Sequence, residues 1–150
     1  MCNAALAMSE ARAIDVTHWG TGPFQNQHAM EWVENLENHA DLEMVEETLD
    51  NVLEQEADGE IPEIPDCSAA LAAAETVAAL AKKPAQQLPE EVRQWCFDNP
   101  ELDIEEVKAK AVQAVGTILT ESELRELWSN TEHYPTWEID LEALRDRLLQ

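Results

Sequence analysis

Apolar residues recur along the chain at three- and four-residue intervals, in separate runs that predict amphipathic helices. The first run is Ala29, Met30, Trp32, Val33 and Leu36, with Asn26 standing where a helix cap belongs and Asn38-His39 breaking the pattern. The clearest helix opens at Asp41. Leu42, Val45, Leu49, Val52 and Leu53 share one side of it, acids occupy the other, and Asp58-Gly59 ends it. Ile61-Pro62-Glu63-Ile64-Pro65 reads as a rigid linker, after which Asp66 or Ser68 is expected to cap a helix over Ala69–Lys82. Ten of residues 69 to 81 are alanine or leucine, so this helix can sit centrally and close to its neighbours. Lys82 and Lys83 are expected in its last turn, where cations suit the dipole, before Pro84 stops it.

Pro89 starts a short helix through Trp95 and Phe97, closed by Asn99-Pro100. Asp103 is expected to cap a long helix carrying Val107, Ala111, Val115, Ile118 and Leu119. Thr120 to Glu123 has the Thr-x-x-Glu form of a capping box, opening a helix with Leu124, Leu127 and Trp128. The last helix is expected from Pro135 or Thr136 to Leu149, with Trp137, Leu141, Leu144 and Leu148 inward. No segment alternates with period two for long enough to be a strand. The fold class is therefore all-α: a compact bundle of about six to seven short-to-medium helices joined by short loops. Residues 1–17 show no strong period and read as a flexible N-terminal extension, with 18–150 as a single helical domain.

Composition supports folding and narrows the partners. With 45% apolar and 27% charged residues in 150, the chain can bury a core without a metal or disulfide staple. The balance of 32 acids against nine lysines and arginines gives a net charge of −23. A field of that sign repels nucleic acid and anionic lipid and attracts basic proteins and cations. Direct nucleic-acid binding is thus the least favoured class, and a solvated acidic surface is the bland alternative to a binding role. Cys2, Cys67 and Cys96 are odd in number and widely spaced, which suits a reducing compartment. No window approaches the roughly 18 apolar residues of a membrane span, and no basic-then-apolar leader opens the chain. The expected location is the cytoplasm.

The segment His18-Trp19-Gly20-Thr21-Gly22-Pro23-Phe24-Gln25-Asn26, with Trp32 beyond it, carries a family resemblance. It resembles a bacterial family known as domain of unknown function 4259, whose members open with Trp-Gly-Thr-Gly-Pro-Phe-x-Asn before a helix. Ser122 to Trp128 and Trp137 resemble the family's C-terminal pattern, so the likeness covers about residues 18 to 149. Gln27 and His28 depart from it, since the family typically has acids after the asparagine. The resemblance implies a helical fold and brings no activity. Glycines ahead of a helix can cradle a phosphate, but the Walker and dinucleotide patterns are absent. The simpler expectation is a tight loop that tucks Trp19 and Phe24 against the first helices, with Asn26 as cap.

No catalytic motif, metal set or cofactor signature is found. His18, His28, His39 and His133 lack ligand spacing and are expected at the surface or at caps, and no G-x-S-x-G elbow exists. The charge distribution is more informative. Between Arg12 and Lys82 there is no lysine or arginine, while that interval holds sixteen acids. Ion pairs to these acids must reach across from later helices. Glu43, Glu46, Glu47, Asp50 and Glu54 form a stripe on the Asp41 helix, and like charges so spaced do not stabilise a helix. The stripe, with Glu31, Glu34 and Glu37 beside it, points to a non-catalytic acidic binding protein that blocks a basic partner, of the immunity-protein or nucleic-acid-mimic type. The alternatives are an enzyme with a metal or phosphate site at the Trp-Gly-Thr-Gly loop, or a plain structural adaptor. The sequence leaves the oligomeric state open.

Overall fold

A computed structural model describes residues 18–150 and contains seven α-helices among them. They are α1 (Gln27–Leu36), α2 (Glu43–Ala57), α3 (Ile64–Leu80), α4 (Glu90–Asp98), α5 (Glu105–Thr120), α6 (Glu123–Ser129) and α7 (Tyr134–Leu149). The only β feature among the described residues is an isolated antiparallel bridge between His18 and Asn26. The fold is an all-α bundle. The N-terminal extension read from the sequence lies outside the described residues.

α3 organises the bundle. Ala70, Ala72, Ala73, Ala74, Val77 and Ala78 are all buried, so the helix has no side left for solvent along this stretch. A helix apolar on every side must be enclosed, and α3 touches each of the other six. Methyl side chains keep those contacts close. Larger groups fill the outer layers: Leu36 from α1, Leu49 from α2, Ile118 from α5, Trp128 from α6, and Trp137 and Leu144 from α7 are fully buried. Trp32 Nε1 donates to Thr48 Oγ1 at 2.8 Å, and Trp95 Nε1 to the His39 carbonyl at 2.7 Å. Both indoles thus bury their rings while their N–H groups keep a partner.

One charge interrupts the apolar centre. Glu75 on α3 is 2% exposed and receives two parallel bonds from Arg147 of α7, Nη1 to Oε1 and Nη2 to Oε2, each 3.0 Å. Arg147 Nη1 also donates to the Lys83 carbonyl at 3.0 Å, which ties the end of α7 to the turn after α3.

Several helix boundaries differ from the sequence expectation, and in each case the reason is a hydrogen bond. α3 starts at Ile64 rather than Ala69, because Pro65 fits the first turn, where a missing N–H costs nothing. Its free amides are met from elsewhere: Glu63 N–H by Gln55 Oε1 of α2 and Ile64 N–H by Glu123 Oε1 of α6. Neither Asp66 nor Ser68 caps it. Asp66 lies in the first turn and accepts from Gln55 Nε2, while Ser68 is buried against His18. The cap of α6 is Ser122, which accepts from Arg125 N–H, and not Thr120, whose hydroxyl donates back to Gly116 and Thr117 within α5. Asp41 and Asp103 stand two residues ahead of their helices and accept from Glu43 N–H and Glu105 N–H.

Two helices end on the same hydrogen-bond pattern with different residues. After α2, Gly59 (φ 78°) takes the left-handed position, with Gly59 N–H on Glu56 and Glu60 N–H on Gln55. After α3 that position holds Lys82 (φ 68°), with Lys82 N–H on Ala79 and Lys83 N–H on Ala78. Lys82 and Lys83 therefore follow the last turn of α3 rather than belonging to it. A Cβ is strained in this conformation.

Lys82→Gly is expected to raise stability by about 1 kcal/mol in thermal or urea denaturation, because the left-handed strain disappears. Arg147→Met should cost about 3 kcal/mol by stranding the Glu75 carboxylate, while Glu75→Met with Arg147→Met should return to within about 1 kcal/mol of the parent.

Candidate functional site

The acidic face of α2 and the glycine loop ahead of α1 are the two places the sequence singles out, and they have different characters. On α2, Val45, Thr48, Leu49 and Val52 face the core. That fixes the opposite side as the outer one, and Glu43, Glu46, Glu47, Asp50, Asn51 and Glu54 line a shallow open groove there of about 380 Å³. The five predicted acids are thus brought onto one surface.

They are not equivalent. Lys110 of α5 inserts its ammonium between two of them, 2.8 Å from Glu46 Oε2 and 2.9 Å from Asp50 Oδ1. Its side chain is 26% exposed, so the pair is only partly screened by water. Bonds from both carboxylates hold the Lys110 proton more tightly than in free lysine, against a smaller opposing effect of burial. Glu43, Glu47 and Glu54 remain exposed, and none forms an ion pair among the described residues. Lys110 was not singled out by sequence. It lies 64 residues from Glu46, and no local pattern signals a contact over that separation.

Among the described residues, three acids of the basic-free stretch are paired, Glu46 and Asp50 with Lys110 and Glu75 with Arg147. Glu56 also accepts from the Thr117 hydroxyl at 2.9 Å. Glu31, Glu34 and Glu37 lie exposed on α1, and Glu37 shares a second hollow with Glu90, Glu91 and Asp98 of α4.

The glycine loop closes on itself. Trp19 N–H donates to the Gln25 carbonyl and Gln25 N–H to the Gly22 carbonyl, both at 3.0 Å, and Gly22 N–H reaches Gln25 Oε1 at 2.9 Å. These amides would have to be released before they could receive a phosphate. The Gln25 side chain lies over Gly20 and Gly22, and a Cβ at either position would run into its amide. Asn26 caps α1, accepting from Ala29 N–H at 2.8 Å, and Phe24 is buried. Trp19 is not tucked in as expected: it is 62% exposed, because the turn directs Phe24 inward and leaves the indole outside. Thr21 and Pro23 are half-buried beside them.

His18 is another correction. It is buried rather than at the surface, with Nε2 3.3 Å from Ser68 Oγ and its ring edge-on to Trp128 at 6.1 Å. His28 and His133 flank the same two rings, each at 6.4 Å. The loop is thereby pinned to the N-terminal part of α3, through Ser68, and to the last turn of α6, through Trp128. Among the described residues, no group of three or more His, Cys, Asp or Glu side chains is placed to hold a metal ion. Burial pushes the thiol of Cys67 up to about 12 and that of Cys96 up to about 11, which suppresses their reactivity as nucleophiles.

A family model described as Domain of unknown function (DUF4259) matches residues 17–140, from the glycine loop into α7. The chain belongs to the DUF4259 family. No curated protein and no solved structure matches it. In this DUF4259 member, the loop that carries the family resemblance is held by hydrogen bonds of Gln25, Asn26 and His18. The acidic face of α2 is instead open to solvent. No helix among the described residues is long and apolar enough to cross a membrane.

Lys110→Met should lower stability by about 1 kcal/mol near neutral pH, since two ion pairs are lost and Glu46 and Asp50 face each other unscreened. The folded state raises the Lys110 pKa, so its contribution is fully present below the ordinary lysine value of about 10.4. It fades as pH rises through the higher folded value. Urea titrations of both proteins should accordingly show a constant gap from neutral pH to about 10 and a shrinking gap above that.

Proposed function

We propose that this DUF4259 chain is a non-catalytic binding protein that occludes a basic surface of a partner protein, as an immunity protein or nucleic-acid mimic does. The observation that carries the reading is the outer face of α2. Glu43, Glu47 and Glu54 project from a helix and form no ion pair among the described residues, while Lys110 holds the intervening Glu46 and Asp50 in place.

Carboxylates at i and i+4 repel each other by a few tenths of a kcal/mol, so helix stability alone disfavours the arrangement. A partner's lysines and arginines would relieve that repulsion, and the overall charge of −23 would speed their approach. Lys110 divides the labour. It removes the two acids nearest the α5 side from the repulsion and leaves three for an incoming surface.

The test compares immobilised parent protein with the variant Glu43→Gln, Glu47→Gln, Glu54→Gln in host extract at low and at high salt. These side chains are exposed, so the variant should fold normally. A basic protein should be retained by the parent at low salt, weakened at high salt, and bound about tenfold or more weakly by the variant. Lys110→Met should bind at least as tightly as the parent. Failure to retain any basic protein, or equal retention by parent and triple variant, would refute the reading.

A further inference from the structure

In a chain with only nine lysines and arginines, their placement is informative. Lys82, just after the end of α3, and Arg93 of α4 line the same hollow. It measures about 200 Å³ and has an apolar floor that includes Leu80, Leu88, Phe97 and the part-buried Cys96. Lys82 forms no ion pair among the described residues, and Arg93 meets only Glu90, at 3.6 Å, with 52% and 80% of the two side chains exposed. An exposed pair of that kind contributes little. Burial raises the thiol pKa of Cys96, and the nearby Lys82 charge opposes that rise only in part. Phe97, beside it, is 79% exposed, the highest value among the described large apolar residues.

We propose that this hollow binds the carboxyl-terminal residue of a partner polypeptide, its bulky apolar side chain against Leu80, Leu88 and Phe97 and its carboxylate facing Lys82 and Arg93. Charge complementarity selects the occupant. The rest of the molecule repels anions, so a heavily acidic partner is excluded, while a single terminal carboxylate is attracted to Lys82 and to Arg93, whose pair with Glu90 is exposed and weak. Size selects the source. The hollow is smaller than the roughly 300 to 1,000 Å³ that encloses a whole small-molecule ligand, but it suits one large side chain at the end of a chain. The remainder of the partner would run out over the exposed Phe97 ring. Capture of a chain terminus by its carboxylate is an established recognition mode. This site is separate from the acidic groove of α2 and does not depend on the function proposed for that groove.

Fluorescence anisotropy with the full chain provides the test. The probe is a short glycine-serine peptide bearing a neutral dye and ending in a free leucine carboxylate, and the control is the same peptide as its terminal amide. The acid should bind saturably and the amide about tenfold or more weakly, the loss expected for one charge-assisted contact. Lys82→Gly, at a backbone position that favours glycine, should keep the fold and lower affinity for the acid to a similar degree. Phe97→Ser should weaken both peptides. Bound acid should also slow alkylation of Cys96, followed by peptide mapping. Equal binding of acid and amide, absence of saturation, or an unchanged affinity in folded Lys82→Gly would overturn the proposal. So would saturable binding of decanoate without binding of the peptide acid, which would assign the hollow to a free amphiphile.

Discussion

Enclosure of α3 by its six neighbours is the constraint from which the rest of the structure follows. Its alanines bury little area each, so α3 contributes less through its own side chains than through the approach it allows. Large residues on α1, α2, α5 and α7 close over it from several directions, and their helices can do so only because nothing bulkier than Leu71 or Val77 projects from the stretch between residues 70 and 78 apart from Glu75. The polar sides of those outer helices are then forced outward. The outward position of the α2 acids follows from where its leucine and valines must go, whereas their acidity does not.

That logic explains which parts of the fold were legible in the sequence. Amphipathic spacing on α1, α2, α5 and α7 located each helix and its inner side, because those helices bury one face and expose another. The alanine density of α3 announced a central helix. The start of α3 was not legible, because its free amides are met by Gln55 and Glu123, which arrive from other helices. A reading confined to neighbouring residues looks for a local cap and finds Asp66 or Ser68. The same limit misassigned the cap of α6, where Thr120 and Ser122 are chemically equivalent candidates and only Ser122 points forward.

For the candidate site the position is similar. Helical spacing placed the five acids of α2 on one face, which required no knowledge of the tertiary structure. Their division into paired and unpaired groups depends on Lys110, and that was beyond reach. The Gly-Thr-Gly loop was recognised through its family resemblance and capped as expected by Asn26, yet the role of its glycines lay in the intervening residue, Gln25, whose side chain needs the space they leave. His18 looked like a surface residue only because Ser68 and Trp128 are remote from it in the chain.

The Glu75–Arg147 pair joins residues 72 positions apart. During translation α3 therefore leaves the ribosome long before its counter-ion exists. A bundle closed around those alanines without the end of α7 would enclose a carboxylate with no counter-ion, which is costly. The charge balance of the core around α3 is therefore completed from the far end of the described chain, by the last turn of α7.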